Sequence, residues 1–505
     1  MPLFITLIIG LVLSTVHGDD CIPRKFDENS IVCVCNSTYC DSVEIEVPVK
    51  GAFRIYTSSQ SGQRLESQDG NFENCIDDRG ALRLDPTTKY QTICGFGGAF
   101  TDAAGLNILS LSVPTQQQLI QTYFGRNGNR YNLGRVPIGG SDFSTRPYTL
   151  DDIPGDTTLA NFSLAPEDIS YKIPYMKKAL DLNPDLRFIA GSWTAPPWMK
   201  TDNQYVGLFG ELKTEYYQTY ADYLIKFLET YKQSELPMWA MSTGNEPIDG
   251  FFQFVQINSM AWTPQQQATW LVNNLAPALA QSTAGDIKIL ALDDERYQLP
   301  WWIDMMYETE EVDRYLAGIA IHWYSDSLAP SSLLDKTHTK YPDKFIINTE
   351  ASVTPLPWDT KPVRLGSWRR AELYIRDIIE DLNHWVCGWV DWNLALDKDG
   401  GPNWVHNPVD SPIIVNPETD EFFKQPLFYS MAHFSKFLPL GSTRIDLTPS
   451  RAIKSVAFLT PNNEVVVVLH NPTYRSKVIT INDPDLGAMQ IEMPPKSVQT
   501  VIYQR

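Results

Sequence analysis

The sequence predicts an α/β fold: a (β/α)8 TIM barrel accompanied by a discontinuous all-β sandwich and a small disulfide-stapled β module. Three observations carry that prediction. Eight short apolar runs, each ending in polar or aromatic residues, recur between residues 93 and 395 with helical stretches between them. Residues 442–505 read instead as closely spaced strands and turns. Four cysteines, Cys21, Cys33, Cys35 and Cys40, crowd together near the start of the chain.

The elements follow in chain order. Residues 1–18 form one short apolar run with small residues, Val16 and Gly18, ahead of Asp19, which is the pattern of a cleaved secretory signal peptide. The four clustered cysteines then suit a disulfide-stapled module of a secreted chain. Cys75 and Cys94 are candidates for a further bridge, and Cys387, inside an apolar run, is expected to be a buried free thiol. Asn36-Ser-Thr and Asn161-Phe-Ser are N-glycosylation sequons. Up to about residue 92, runs such as Val43–Val49 and Ala81–Leu84 between Gly, Asp and Pro clusters read as strands and turns.

The eight runs are Ile93–Thr101, Tyr131–Gly139, Leu186–Thr194, Met238–Pro247, Ile287–Glu295, Gly318–Tyr324, Lys344–Ala351 and Val386–Ala395. Among the intervening segments Thr214–Ser234 is the clearest helix, with Tyr217, Tyr220, Leu224, Phe227, Leu228 and Tyr231 at helical spacing. A doubly wound open sheet has the same local signature, and the count of eight favours the barrel. Beyond it, Ser455–Leu459 and Val465–His470 flank a Thr460-Pro-Asn-Asn-Glu turn, and Lys477–Asn482 and Val498–Tyr503 follow. The early strands are expected to complete this β domain, because three or four strands alone would leave open edges.

Composition narrows the function. The net charge of −19 disfavours a nucleic-acid partner, which needs a basic face. Excess carboxylate is compatible with an acidic compartment, where its self-repulsion falls. Fourteen Trp, 23 Tyr and 22 Phe offer flat faces that suit sugars, although a large core uses the same residues.

Barrel enzymes carry their chemistry at the C-terminal ends of strands. Here those ends hold carboxylates, Trp, Asn and Tyr, with no Cys/His metal set, no Gly-rich phosphate loop and no Gly-x-Ser-x-Gly. Glu246 ends the fourth run behind Asn245, and Glu350 ends the seventh. Side chains three strands apart in a ring of eight face each other across its mouth. A carboxyl pair about 5–5.5 Å apart suits a retaining double displacement on a glycoside. Glu350 reads as the nucleophile, with Arg135, Tyr324 and His322 as candidate donors that keep it ionised. Glu246 reads as the acid/base, needing the raised pKa that burial and a nearby anion provide. Asn245 is placed to donate to a sugar 2-OH. A lone strand-end Glu is more often a salt-bridge residue; it is the pair, among Trp residues, that points to hydrolysis.

Longer strings then become recognisable. Asn-Glu-Pro at 245–247, His-Trp-Tyr at 322–324, Thr-Glu-Ala at 349–351, Gly-Trp-Val-Asp-Trp-Asn-Leu-Ala-Leu at 388–396 and Gly-Gly-Pro-Asn-Trp-Val at 400–405 resemble the glucosylceramidase (acid β-glucosidase) branch of glycoside hydrolase family 30. Cys-Val-Cys-Asn-Ser-Thr-Tyr-Cys-Asp-Ser at 33–42 and Gly-Phe-Gly-Gly-Ala-Phe-Thr-Asp-Ala-Ala at 95–104 extend the likeness over the mature chain. The resemblance implies retaining hydrolysis of glucosylceramide to glucose and ceramide without cofactor or metal. It gives Glu246 and Glu350 the same roles and adds glucose contacts from Asp142, Trp193, Asn245, Trp392 and Asn407. Arg135, His322 and Tyr324 become groups that orient the glutamates, and Cys21 pairs with Cys33 and Cys35 with Cys40. An acidic working pH, a lysosomal or secreted location, an anionic membrane surface and a small saposin-like activator also follow from it.

The partition that goes with the resemblance is a signal peptide (1–18), a disulfide module (19–46 with 394–426), a sandwich (47–92 with 442–505) and a catalytic barrel (93–393 with 427–441). This chain departs from the family pattern at Ser141 and Ser352, which stand where that pattern has cysteines, at His406 in place of an arginine, and through Phe251–Thr263. The departures bear on aglycone preference and activator need. A sister β-xylanase, β-fucosidase or β-1,6-glucanase activity, or an inactive binding homologue, is the alternative.

Overall fold

A computed structural model describes residues 19–73, 80–252, 256–356, 359 and 361–505. The signal peptide and Cys75 lie outside the described residues. Eight parallel strands close into a barrel: β1 (Gly95–Ala99), β2 (Leu133–Ile138), β3 (Arg187–Ser192), β4 (Met238–Ser242), β5 (Lys288–Glu295), β6 (Leu316–His322), β7 (Phe345–Glu350) and β8 (Val386–Asn393). They pair in sequence order, and β8 returns to β1 with Gly388 opposite Gly95. Each strand falls within one of the eight runs read from the sequence or overlaps it closely. The open-sheet alternative is thereby excluded.

Closure at β1 depends on missing side chains. A Cβ on Gly97 would lie 1.8 Å from the Leu133 carbonyl oxygen, and one on Gly388 would lie 2.5 Å from that of Gly95. Glycines at these positions let neighbouring backbones approach to hydrogen-bonding distance. The Cys94 amide donates to the Cys387 carbonyl, and the two sulfurs are joined in a disulfide. This corrects two expectations: Cys94 does not pair with Cys75, and Cys387 is not a free thiol. The reason is register, since each cysteine immediately precedes the paired glycines Gly95 and Gly388.

Helices pack around the ring through single faces. In Trp368–Asn383 the buried apolar residues Trp368, Ala371, Tyr374, Ile375, Ile378, Ile379 and Leu382 recur at three- and four-residue steps. In Tyr217–Gln233 the buried face includes Tyr220, Leu224, Phe227, Leu228 and Tyr231. Pro264–Trp270 begins with a reciprocal cap between Thr263 and Gln266 and a proline in its first turn, where no amide donor is lost.

A nine-stranded sheet draws Ala52–Ser59, Glu66–Asn71 and Leu82–Thr92 from before the barrel and six strands from Thr443–Gln504 after it. Its strand Glu464–Asn471 is a nearly unbroken Val run because both faces are covered. Val465, Val467 and Leu469 join the core between the strands, while Val466 and Val468 pack into the cluster shared with the barrel. Val43–Val49, expected as a strand, is irregular; Pro48 lacks an amide for a ladder there.

The third sheet has four antiparallel strands, Pro23–Lys25, Ile31–Asn36, Glu421–Lys424 and Ile413–Asn416 in that order, the first neighbour pair being Pro23–Lys25 with Ile31–Asn36. Disulfides Cys21–Cys33 and Cys35–Cys40 staple it. Its Val32, Val34, Ile414 and Phe423 share a buried cluster with Trp193 and Trp392, so this small module backs one wall of the barrel mouth.

Candidate active site

The C-terminal ends of the strands converge on one guanidinium. Arg135, inside β2, is fully buried and lies among three strand ends. Its Nη1 donates to Glu350 Oε2 at the end of β7. Its Nη2 donates to Asn245 Oδ1 at 2.7 Å and to Asp293 Oδ2 at 2.8 Å. The Tyr324 hydroxyl donates to the other Glu350 oxygen at 2.8 Å. Both oxygens of Glu350 thus receive a hydrogen bond, one of them from a cation.

Glu246 stands opposite. One oxygen from each of Glu246 and Glu350, with a nitrogen of His322, lie within 4.8 Å of one another. The backbone there is bent to achieve this: Gly244 has φ +143° and Glu246 φ +41°. Left-handed backbone is costly for a glutamate and persists where the surroundings over-determine it. The Asn245 and Glu246 amides are tied to the carbonyls of Ser192 on β3 and Asp293 on β5, each at 2.9 Å. Burial, with the Asp249 charge next, pushes Glu246 well above the usual carboxylate range, outweighing its bond to His322.

His322 does not reach Glu350. Its Nδ1 lies 2.9 Å from Glu246 Oε1 and its Nε2 3.2 Å from Asp293 Oδ1. The sequence reading offered it as a donor to Glu350, and the structure places it on Glu246 instead. Burial alone would lower its pKa, but the Glu350 charge and the bonds to Asp293 and Glu246 raise it well above the usual imidazole value. An imidazolium with both nitrogens committed to carboxylates has no lone pair for a metal.

Asp293 is the residue the sequence reading left without a role. It accepts from Arg135, from His322 and from the Thr349 hydroxyl at 2.6 Å. A register shift in β5 between Leu292 and Asp294, with positive φ at Leu292 and Asp293, turns it toward these partners. The signal for it was the Asp-Asp-Glu ending the fifth run. Asp249, whose charge raises Glu246, had no comparable signal, because it sits in a short turn beyond the strand.

The remaining expected residues gather around this pair. Trp193 and Trp392 stack at 5.0 Å between ring centroids with 17° between planes, and the Arg135 guanidinium lies 4.9 and 5.4 Å from the two centroids. Their faces are therefore used on each other and on Arg135. Asp142 follows β2 and is buried; its Oδ2 accepts from Nδ2 of the exposed Asn407 at 2.9 Å. Burial and the Glu350 charge push Asp142 up to about 7. Arg135 occupies the Asn245 carbonyl oxygen, which leaves that side chain's amide donors for a ligand. Ser141 and Ser352 are buried and bonded: Ser141 Oγ accepts from the Phe143 amide and Ser352 Oγ donates to the Asp410 carbonyl. His406 is exposed.

A closed parallel barrel whose mouth sets two carboxyls face to face, one charge-neutralised and one desolvated, defines the class of (β/α)8 glycoside hydrolases. The profile of the glycosyl hydrolase family 30 TIM-barrel domain matches residues 93–438, and that of the family 30 beta sandwich domain matches residues 441–501. The chain belongs to glycoside hydrolase family 30. It is 43% identical to the lysosomal acid glucosylceramidase of Mus musculus, covering 96% of each chain, and 39% identical to the putative glucosylceramidase 3 of Caenorhabditis elegans, covering 96% of this chain and 95% of that one. Among solved structures it is similar to SrfJ from Salmonella typhimurium, with a TM-score of 0.83, 27% identity and coverage of 90% of this chain and 100% of that one.

Proposed function

We propose that this protein is a retaining β-glucosidase that hydrolyses glucosylceramide-type lipids, with Glu350 as nucleophile and Glu246 as acid/base. The observation that carries the reading is the approach of one oxygen of Glu246 to within 4.8 Å of one oxygen of Glu350. Inverting enzymes keep their carboxyls about 6.5–9.5 Å apart to admit a water; retaining ones hold them at about 5–5.5 Å. The similarity to glucosylceramidases over nearly the whole chain supports the substrate.

The roles follow from the hydrogen bonds. Glu350, oriented by its hydrogen bonds from Arg135 and Tyr324, attacks the anomeric carbon while Glu246 gives its proton to the glycosidic oxygen, releasing ceramide. A covalent glucosyl ester on Glu350 results. Its formation removes the anion whose charge helps hold the Glu246 proton, so Glu246 is the stronger acid afterwards and its carboxylate takes a proton from water. That water attacks the anomeric carbon and frees Glu350. Asn245 meets the 2-OH, Asp142 and Asn407 grip further hydroxyls, and the indole edges of Trp193 and Trp392 close the pocket. His322, shared between Glu246 and Asp293, positions the acid. Activity needs Glu246 protonated, which its burial favours, and the likeness to a lysosomal acid glucosylceramidase supports an acidic working pH.

The same reading includes a signal peptide at 1–18, glycans at Asn36 and Asn161, the lysosome or the extracellular space as destination, and peripheral contact with an anionic membrane aided by a saposin-like activator. Disulfides and exposed Leu208, Phe209 and Phe252 beside the Glu246 loop support it. No helix among the described residues is long and apolar enough to cross a membrane.

An epoxide cyclitol of glucose configuration tests the core of the proposal. Peptide mass spectrometry is expected to find its adduct on Glu350, and Glu350→Gln is expected to abolish both labelling and turnover. An adduct on another residue, or undiminished turnover in Glu350→Gln, overturns the assignment. The xylose- and fucose-configured reagents separate the sister activities.

A further inference from the structure

The turn that follows Glu246 brings a further carboxyl back to it. Pro247 and Ile248 lead into the short helix Asp249–Phe251, and the Asp249 amide donates to the Glu246 carbonyl at 3.0 Å. Neighbouring loops hold this turn from outside. The Trp262 amide donates to the Pro247 carbonyl at 3.1 Å, and the Phe209 amide to the Gly250 carbonyl at 2.9 Å. The Asp249 carboxyl is thereby hydrogen-bonded to the Glu246 carboxyl. Two carboxyls share such a bond only through a proton.

The neighbours decide which of the two carries it. Glu246 Oε1 lies 2.9 Å from His322 Nδ1. An imidazolium donates there, so Oε1 is an acceptor and the acid's proton belongs on the other oxygen. Burial raises Asp249, and the bond from Glu246 opposes that rise, as it does for an accepting carboxylate. The other acids facing the pair are engaged elsewhere. Asp293 accepts from Arg135, His322 and Thr349, Glu295 from the amide and hydroxyl of Ser325, and Asp294 from the Glu295 amide. Glu350, across the mouth, accepts from Arg135 and Tyr324. Burial pushes the nearby Tyr297 phenol up to about 12, so it stays neutral.

We propose that Asp249 is a positioning residue for the hydrolysis: its carboxylate accepts the hydrogen bond of protonated Glu246 and holds the catalytic proton until a glycosidic oxygen takes its place as acceptor. This rests on the reading of Glu246 as acid/base and gives that residue a partner. In the first half of the cycle the proton passes from Glu246 to the departing oxygen, and Glu246 becomes a carboxylate. Two like charges then face each other, which makes Glu246 a stronger base toward the attacking water. The water's proton returns to Glu246 while its oxygen bonds the anomeric carbon. The ester bond breaks with its electron pair on Glu350, and the bond to Asp249 re-forms. Asp249 thus weakens the acid of the first half and strengthens the base of the second.

Asp249→Asn, isosteric and uncharged, is the test. On a lipid glucoside, the basic limb of the kcat/KM profile reports Glu246 in the free enzyme and is expected to move about one pH unit toward acid. A dinitrophenyl glucoside makes the second half rate-limiting. There kcat is expected to fall about three-fold, as for a base weaker by about one pKa unit with its proton half transferred. KM should fall with it, and the glucosyl ester should accumulate on the Glu350 peptide in mass spectra. A turn that only supports the fold would lower Tm or raise KM and leave the limb in place. Asp249→Ser, also uncharged, carries the same test should the Asn variant fail to fold. An unmoved basic limb in a folded variant, or a wild-type kcat on the dinitrophenyl glucoside, overturns the proposal. Failure of the underlying reading looks different: Glu246→Gln then turns over the lipid glucoside at the wild-type rate.

Discussion

Lowering the pH from 7 to 5 should make Asp142 worth about 2 kcal/mol more to the folded protein. Burial and the Glu350 charge push Asp142 up to about 7. Burial, with Asp249 adding to it, does the same for Asp294. In the unfolded chain both titrate near 3.9. The folded protein therefore holds these protons more tightly than the unfolded chain, and protonation favours folding. The gain begins as pH falls through 7 and is complete only below the unfolded value. Between pH 7 and pH 5 each group contributes about 2 kcal/mol, so the pair gives about 4 kcal/mol if independent. His322, raised above the usual imidazole value, acts in the same direction: its contribution is full below about 6.5 and fades as pH rises through its folded value. Asp293 is held well below the carboxylate range by Arg135 and His322 despite its burial, so its contribution stays intact across this window. The assay is urea unfolding at pH 5, 6 and 7 at constant ionic strength, for the wild type and for Asp142→Asn, whose amide mimics the protonated acid. Between pH 7 and pH 5 the stability of the wild type should change more favourably than that of the variant, by about 2 kcal/mol. A pH slope of stability unchanged in the variant would refute the reasoning.

Three other perturbations probe the site and the ring. Arg135→Met removes the guanidinium shared by Glu350 and Asp293 and should cost about 3–5 kcal/mol, because it strands buried carboxylates; a loss below about 1 kcal/mol in urea unfolding counts against this. Glu246→Gln should lower kcat/KM about 10²–10⁴-fold on a lipid glucoside yet spare the first step for a dinitrophenyl glucoside, whose leaving group needs no proton; equal losses on both substrates would contradict the acid role. Gly97→Ala places a Cβ against the Leu133 carbonyl oxygen and should prevent barrel closure, so a soluble variant with wild-type Tm is the contrary result.

The barrel was legible because each parallel strand, buried on both faces, is a compact apolar run, and its chemistry must sit where that run ends. Glu246 and Glu350 stood at such ends. Asp293 was harder to assign, since its position depends on a bulge whose positive φ values fall on Leu292 and Asp293 rather than on glycines. His322 was placed near the right group but bonded to the wrong one, because spacing along strands does not reveal which of two facing carboxyls a ring nitrogen will meet. The Cys94–Cys387 bridge was missed for a related reason. Cysteines at opposite ends of a barrel are remote in sequence and become neighbours only when the ring closes. Several strands went unread, among them Thr443–Leu447 and Gly487–Met493, although in the latter Met489, Ile491 and Met493 alternate with the exposed Gln490 and Glu492.

That bridge also works at a distance. The nine-stranded sheet takes strands from both ends of the chain, and Leu82–Thr92 must find Thr443–Leu447 across the whole barrel sequence. A covalent link from Cys94 to Cys387 offers a shortcut past 293 residues. The contour separating the two strands contracts roughly six-fold, which lowers the entropy of bringing them together by about 1.5 kcal/mol. An oxidised chain that loses its barrel therefore keeps the two parts of its other large domain on a short leash, and reduction sets them adrift.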